Sequence, residues 1–388
     1  MKHLINSQVT QLQISGIRQF FNMVSNYKDV VSLTIGQPDF HTPEHIKQAA
    51  IQAIHYNYTS YTPNAGILDL REAIEDHVRT NYNLTYDKKN EIIVTVGASQ
   101  AIDVTLRTIL SPGDEVVLPG PVYPGYEPLI KLAGGTPVHV DTRADQFKLT
   151  GAKLEKAITP KTKAVILPYP SNPTGVSLNE AELKEIADVL KKHDVFLIAD
   201  EIYSELVYDQ PHTSIAQFKE LRDQVIVING VSKSHSMTGW RIGYLLAPEW
   251  LAKEILKVHQ YNVSCPSSIS QYAALEALKN GAADPQHMKS SYLSRRDYVF
   301  QRLKSMGLDP VLPEGAFYIF LKFPLAGKST FDRAVQLVEE AGVALVPGDA
   351  FSQFGKGHMR LSYAYSEETL KVGLDRLEEF LSKEGINK

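Results

Sequence analysis

Val231-Ser232-Lys233-Ser234-His235-Ser236-Met237-Thr238-Gly239-Trp240-Arg241-Ile242-Gly243-Tyr244 holds the residues best suited to covalent chemistry. Lysine forms an imine with an aldehyde cofactor. Arg241, eight residues after Lys233, can clamp a phosphate with two parallel hydrogen bonds. Taken singly, a lysine is more often solvated and an arginine more often part of a surface ion pair. Here the polar Ser-Lys-Ser-His-Ser run lies between the apolar run Val225–Ile228 and a Gly-Trp turn. A lysine just past a buried strand sits where open α/β sheets bind ligands, provided that end is the carboxyl end.

Four other places carry side chains of matching chemistry. Asp200 ends the apolar run Phe196-Leu197-Ile198-Ala199 and precedes Glu201-Ile202-Tyr203. A buried carboxylate needs a cationic partner, and the protonated ring nitrogen of pyridoxal phosphate (PLP) is one; capping of a following helix is the competing role. In Pro168-Tyr169-Pro170-Ser171-Asn172-Pro173-Thr174-Gly175 the dense prolines fix a turn that would aim Asn172, although Asn-Pro-x-Gly also occurs in plain connectors. Val96-Gly97-Ala98-Ser99-Gln100 joins a strand to a helix through small residues, so the first helical N–H groups can cradle a phosphate. In Gly357-His358-Met359-Arg360-Leu361-Ser362, Arg360 lies between apolar neighbours and needs an anion, either a substrate carboxylate or an internal acidic residue. Each bland alternative stands alone; together they require five coincidences at strand ends.

The elements that must position these residues follow from apolar pattern. Ile92–Val96, Glu115–Leu118, Pro137–Val140, Ala164–Leu167, Val195–Ala199 and Val225–Ile228 are short apolar, β-branched runs and read as buried strands. Helical periods separate them. Asn179 with Glu182 reads as a cap before Leu183, Ile186, Ala187 and Leu190, with Lys191, Lys192 and His193 in the last turn. Another helix runs from Ser99 through Ile102, Leu106 and Ile109. This alternation predicts an α/β fold, a mostly parallel sheet wrapped by helices. The last third predicts a smaller α+β domain, with helices near 289–306, 330–342 and 366–384 and strands at Phe317–Phe320 and Met359–Ser362. The expected organisation is an N-terminal segment 1–40 joining the small domain, a large cofactor-binding domain 41–280, and the small domain 281–388, with a turn at Asn280-Gly281-Ala282-Ala283-Asp284-Pro285.

Composition bounds the rest. The chain has 388 residues, 40 Lys and Arg against 44 Asp and Glu, and a net charge of −4, which points away from nucleic acid and anionic membranes as partners. Cys265 is the one cysteine, so no internal disulfide or thiolate metal cluster can form. The start, Met1-Lys2-His3-Leu4-Ile5-Asn6, has no apolar signal region, and a cytoplasmic location is expected.

Ser-Lys followed by Met-Thr-Gly-Trp-Arg-Ile-Gly, in order after Asn-Pro-Thr-Gly and Asp-Glu-Ile-Tyr and before Arg-Leu-Ser, resembles the fold-type I class I/II aminotransferases of the aspartate aminotransferase superfamily. The likeness runs from about Ser32 to the C-terminus. It implies PLP as cofactor, an amino acid and a 2-oxo acid as substrates, 2-oxoglutarate being the expected acceptor, and a homodimer. It implies that Lys233 joins the cofactor covalently, that Asp200 pairs with its ring nitrogen, and that Tyr203 and Asn172 bond its ring oxygen. Tyr123, in Gly-Pro-Val-Tyr-Pro-Gly-Tyr, would stack on the ring. Arg241, Ser232 and the backbone of Gly97, Ala98 and Ser99 would hold the phosphate. Arg360 would take the substrate carboxylate, with Gly36 and Asn172 in the same pocket, and Tyr61 would reach the phosphate of the neighbouring subunit. The chain departs from relatives at Gly230, where some place a phosphate-binding serine, and at Ser99, where bacterial aspartate enzymes of this subgroup carry a lysine. Ser-Leu-Thr-Ile-Gly-Gln-Pro-Asp-Phe, Ile-Val-Ile-Asn-Gly-Val-Ser-Lys-Ser-His-Ser and His-Gln-Tyr-Asn-Val-Ser-Cys resemble the bacterial N-acetyl-LL-diaminopimelate aminotransferases of lysine biosynthesis. Aromatic or broad-specificity transamination and C–S β-elimination are the rival activities. A PLP-binding DNA regulator is disfavoured because only about thirty residues precede the matching region, fewer than a DNA-binding domain needs.

Overall fold

Continuous apolar runs cannot leave either face of a sheet in water, and the computed structural model shows how both faces are covered. It describes residues 1–14 and 16–385, so Ser15 and the final three residues of the expected 281–388 segment lie outside it. Seven strands form the large sheet: β1 (Ile92–Thr95), β2 (Glu115–Gly120), β3 (Thr136–Asp141), β4 (Thr162–Leu167), β5 (Phe196–Asp200), β6 (Val225–Gly230) and β7 (Gly243–Leu246), in the spatial order β1-β7-β6-β5-β4-β2-β3. All pairings are parallel except those of β7, which runs antiparallel between β1 and β6. Residues of alternate parity then separate into two cores. Val117, Val165, Leu197 and Val227 face one side; Val116, Ile166, Ile198 and Ile226 face the other. The register aligns them, with Ile198 opposite both Ile166 and Ile226. Both cores are packed by helices, the arrangement of a doubly covered α/β sheet.

Strand β7 was not among the expected strands. It follows a 3-10 turn at Thr238–Trp240, with Arg241 in the left-handed region at φ 58°. Its first residue must be glycine, because a Cβ at Gly243 would lie 2.4 Å from the amide nitrogen of Ala98. That contact brings the turn carrying Arg241 against the start of the helix after β1, which spans Gly97–Ile109 rather than beginning at Ser99.

The helix Glu180–Leu190 has the expected capping box. Asn179 Oδ1 accepts from the Glu182 N–H, and the Glu182 carboxylate accepts from the Asn179 N–H. Leu183, Ile186, Ala187 and Leu190 are buried. The basic residues lie beyond its last turn: the helix ends at Leu190 and Lys191 is the C-cap, because its N–H closes onto Ala187 and the chain then turns at Lys192 and His193.

The smaller part is α+β. Strands β8 (Asp309–Pro310), β9 (Tyr318–Lys322), β10 (Val346–Pro347) and β11 (His358–Ser362) form an antiparallel sheet in the order β10-β11-β9-β8. Pro310 sits on its edge, where the missing N–H removes no ladder bond. The helices are Asp284–Ser305, starting five residues earlier than expected, Thr330–Ala341, and Glu367–Lys383. The last is capped by Ser366, whose hydroxyl accepts from the Thr369 N–H, and buries Leu370, Leu374, Leu377 and Leu381. Near the N-terminus, Val31–Ser32 pairs in parallel with Val343–Ala344, and Phe20, Val24 and Leu33 join the same core as Phe317, Leu337 and Leu374. Tyr203, Leu206 and Tyr208, which follow β5, enter that core too, so the two parts pack directly on one another.

Candidate active site

In a parallel sheet every strand delivers its following loop to the same edge. Val96–Ser99 follow β1, Tyr123 follows β2, Asn172 follows β4, Asp200 ends β5, and Ser232-Lys233 follow β6. These carboxyl ends open into a cavity of about 300 Å³. Its wall includes Gly36, Ala98, Ser99, Tyr123, Asn172, Asp200, Tyr203, Ser232, Lys233, Arg241 and Arg360. Residues as far apart in sequence as Gly36 and Arg360 thus meet because the small sheet lies over the edge of the large one.

At one end, Arg241 packs against the first turn of the helix Gly97–Ile109. Its Nη1 donates to the Thr238 carbonyl at 2.9 Å. Gly97, at φ +74°, leaves the room: a Cβ there would sit 2.2 Å from Arg241 Nη2. A guanidinium beside free helix-start amides is a site for a phosphate.

Asp200 lies at the cavity wall, 6% exposed. Oδ2 accepts from the Tyr126 hydroxyl at 2.7 Å and Oδ1 from the Ile202 N–H at 3.2 Å. Burial pushes the carboxyl up to about 6 despite those two donors and nearby Lys233. A cation against it would restore the ionised form, which suits a protonated pyridine nitrogen.

Lys233 Nζ donates to the Gly36 carbonyl at 2.7 Å. Burial first, then the charges of Arg241 and Arg360, bring its amine down to about 8. It therefore reaches the neutral, nucleophilic form far more readily than an ordinary lysine. Tyr203 closes the wall, its hydroxyl 2.9 Å from that of Tyr318.

Arg360, in the middle of β11 of the small sheet, is buried. Nη1 donates to Asn172 Oδ1 at 2.8 Å and Nη2 to the Thr34 carbonyl at 2.7 Å. The guanidinium lies over the Tyr318 ring, 4.4 Å from its centroid, with Phe351 at 5.0 Å. No carboxylate pairs with it among the described residues, and its Nε is buried without a partner. The internal ion pair is therefore ruled out as its role, and a carboxylate from solution is the anion its chemistry calls for.

The donor set therefore fits PLP at three independent points: phosphate cradle, buried carboxylate and a lysine of lowered basicity. Tyr61 does not reach this cavity within one chain and is 89% exposed. Tyr126, Tyr318 and Thr34 also line it and were not among the sequence candidates. Tyr126 ends the Gly-Pro-Val-Tyr-Pro-Gly-Tyr stretch, three residues after Tyr123 and at the start of a helix. Tyr318 was legible only as a hydroxyl inside an apolar run. The Thr34 contact is a backbone carbonyl, for which sequence carries no signal.

Residues 28–377 match the model of the aminotransferase class I and II family. The chain belongs to that family. It is 61% identical over 383 residues, 99% of this chain and 97% of the relative, to a probable N-acetyl-LL-diaminopimelate aminotransferase of Bacillus subtilis. It is 40% identical to aromatic-amino-acid aminotransferase 2 of Thermococcus litoralis, covering 98% of this chain and 99% of that one. Among solved structures, the aspartate aminotransferase of Thermus thermophilus with maleate superposes with a TM-score of 0.92 at 36% identity, covering 97% of this chain and 99% of that one. The fold is that of these aminotransferases, and the protein is a transaminase.

Proposed function

We propose that this transaminase uses PLP to move an amino group from N-acetyl-LL-diaminopimelate, or in the reverse sense to its 2-oxo acid precursor, with glutamate and 2-oxoglutarate as the second pair. The observation that carries the substrate is the 61% identity, over nearly the full length of both chains, to the relative of that name. The aromatic relative is much more distant. Ser99 at the cavity wall, in place of a lysine, leaves a distal carboxylate without that partner and argues against aspartate.

PLP, when bound, supplies a ring that accepts the electron pair left at the amino acid α-carbon. The chain's residues divide the remaining work. Arg241, Ser232 and the amides of Gly97, Ala98 and Ser99 hold the phosphate. Asp200 holds a proton at the ring nitrogen. Tyr203, steadied by Tyr318, and Asn172 bond the ring oxygen, and Tyr123 covers the ring face. Arg360 would fix the substrate carboxylate in the cavity that Lys233 also lines, where the α-proton is the one to be moved. Lys233 takes that proton as general base and returns it as general acid. The Gly36 carbonyl accepts from the Lys233 amine where that amine is free. In this reading residues 41–280 bind the cofactor, and 1–40 with 281–388 deliver Arg360 and the Gly36 carbonyl.

The reading includes a cytoplasmic homodimer in which Tyr61 completes the partner's phosphate site. In support, Tyr61 and Tyr261 are 89% and 88% exposed, and Tyr56, Ile51 and Ile54 are exposed large apolar residues nearby in sequence. Among the described residues no helix is long and apolar enough to cross a membrane.

The test is the visible spectrum of the PLP-loaded protein with L-glutamate, N-acetyl-LL-diaminopimelate and tyrosine added separately. Conversion to the pyridoxamine form by the first two, faster than by tyrosine, is expected. Preference for tyrosine would replace the substrate assignment. Pyruvate and ammonia from cystathionine without any acceptor would replace transamination with β-elimination.

A further inference from the structure

Asp200 meets charged and polar groups on every side. Lys233 approaches from the loop after β6, Glu201 follows Asp200 just past the end of β5, and Tyr203 comes three residues after Asp200; Tyr123 and Tyr126 come from the segment after β2. Only two groups donate hydrogen bonds to it among the described residues, the Ile202 N–H at 3.2 Å and the Tyr126 hydroxyl at 2.7 Å. The Tyr126 bond is the shorter, and it comes from a residue 3% exposed at the start of the helix Tyr126–Leu132. The Tyr126 ring also meets Tyr123 edge to face, with centroids 5.4 Å apart and planes at 85°. One side chain therefore touches both the carboxylate and the aromatic face of the cofactor site.

We propose that Tyr126 is a positioning residue that keeps Asp200 ionised and aimed at the cofactor ring nitrogen while bracing the Tyr123 ring. This rests on the PLP reading above. Burial disfavours the charged carboxylate, and Glu201 adds to that; Tyr126 opposes both by donating to Oδ2. Its own hydroxyl keeps its proton, because burial and Asp200 push its ionisation well above the ordinary range. It is therefore a fixed donor across the working pH range. Oδ2 is turned toward the helix by this bond, and its carboxylate keeps lone pairs for a third donor from the cavity.

The experiment titrates the full-length apoprotein with PLP across pH about 5 to 9, for wild type, Tyr126→Phe, Asp200→Asn and the double variant. A hydrogen bond to a charged group predicts about tenfold weaker PLP binding by Tyr126→Phe near neutrality. The pH at which binding fails on the acid side should rise by about one unit, the equivalent of that factor. In the Asp200→Asn background, with no carboxylate to protonate, Tyr126→Phe should change affinity by no more than about twofold. An equal loss in both backgrounds, or an unchanged affinity and acid limb in Tyr126→Phe, would overturn the proposal. Tyr126→His keeps an N–H donor and is expected to hold the wild-type acid limb. It provides the reading where Tyr126→Phe does not fold, and an acid limb raised by about one unit in a folded His variant would also overturn the proposal. A wild-type protein that takes up no PLP defeats the parent reading instead, so the two failures are distinct.

Discussion

Replacing Arg360 tests whether the buried guanidinium is the carboxylate anchor. The side chain is held by Asn172 Oδ1, the Thr34 carbonyl and the Tyr318 ring, which leaves the second N–H of each terminal nitrogen for a ligand. A carboxylate taken by two charge-assisted hydrogen bonds at about 1.5–3 kcal/mol each gains about 3–6 kcal/mol. Arg360→Leu removes both, so kcat/KM for an amino acid donor should fall about 10²- to 10⁴-fold. Arg360→Lys keeps the charge and can make one bond, for a loss of about 10- to 100-fold. The assay is the single-turnover half-reaction of the PLP form, followed by absorbance, with each donor and with an amine that lacks the α-carboxylate. The amine should react equally well with wild type and both variants. An equal loss with the carboxylate-free amine would mean that Arg360 supports the fold of the site rather than the substrate. A kcat/KM within about threefold of wild type would refute the anchor outright.

Lys233→Ala should abolish turnover while PLP still binds through the phosphate and ring contacts, and wild-type rates in a multiple-turnover assay would remove Lys233 from the mechanism. The neutral amine is the reactive form, and its pKa is depressed to about 8. The rate at which apoprotein joins PLP covalently should therefore rise with pH up to about 8 and level off above it, whereas a rate still climbing two units higher would contradict the depressed value. Gly97→Ala places a Cβ against Arg241 in a backbone conformation that costs about 1–3 kcal/mol for a non-glycine residue; PLP affinity should drop while that of pyridoxal, which lacks the phosphate, changes little. Asn179→Ala removes one half of the capping box far from the cavity, so it should lower stability by about 1 kcal/mol in denaturant unfolding with kcat/KM unchanged.

Local patterns in the chain were enough for the six parallel strands, the capping box at Asn179 and the last amphipathic helix, because each is governed by neighbours in sequence. Continuous apolar runs suit strands buried on both faces, as these are except for the half-buried edge strand β3, and parallel strands force their following loops to one edge. The ordered motifs at those loops were therefore legible as one site before any contact was known. Strand β7 was not: its first residue, Gly243, packs against Ala98, a long-range contact that no local periodicity encodes. Nor were Tyr126 and Tyr318: an aromatic residue in an apolar run reads as core until the structure shows where its hydroxyl ends. What the fold alone decided was the electrostatic setting. Asp200 is raised because packing removes its water, and Lys233 is lowered first by burial, then by the charges of Arg241 and of Arg360, which comes from the far small sheet. Arg360 meets Asn172 across 188 residues of chain and lacks an acidic partner among the described residues. Sequence determines which groups are available and in what order along the sheet edge; burial and long-range convergence, which no local pattern encodes, set their charge and their aim.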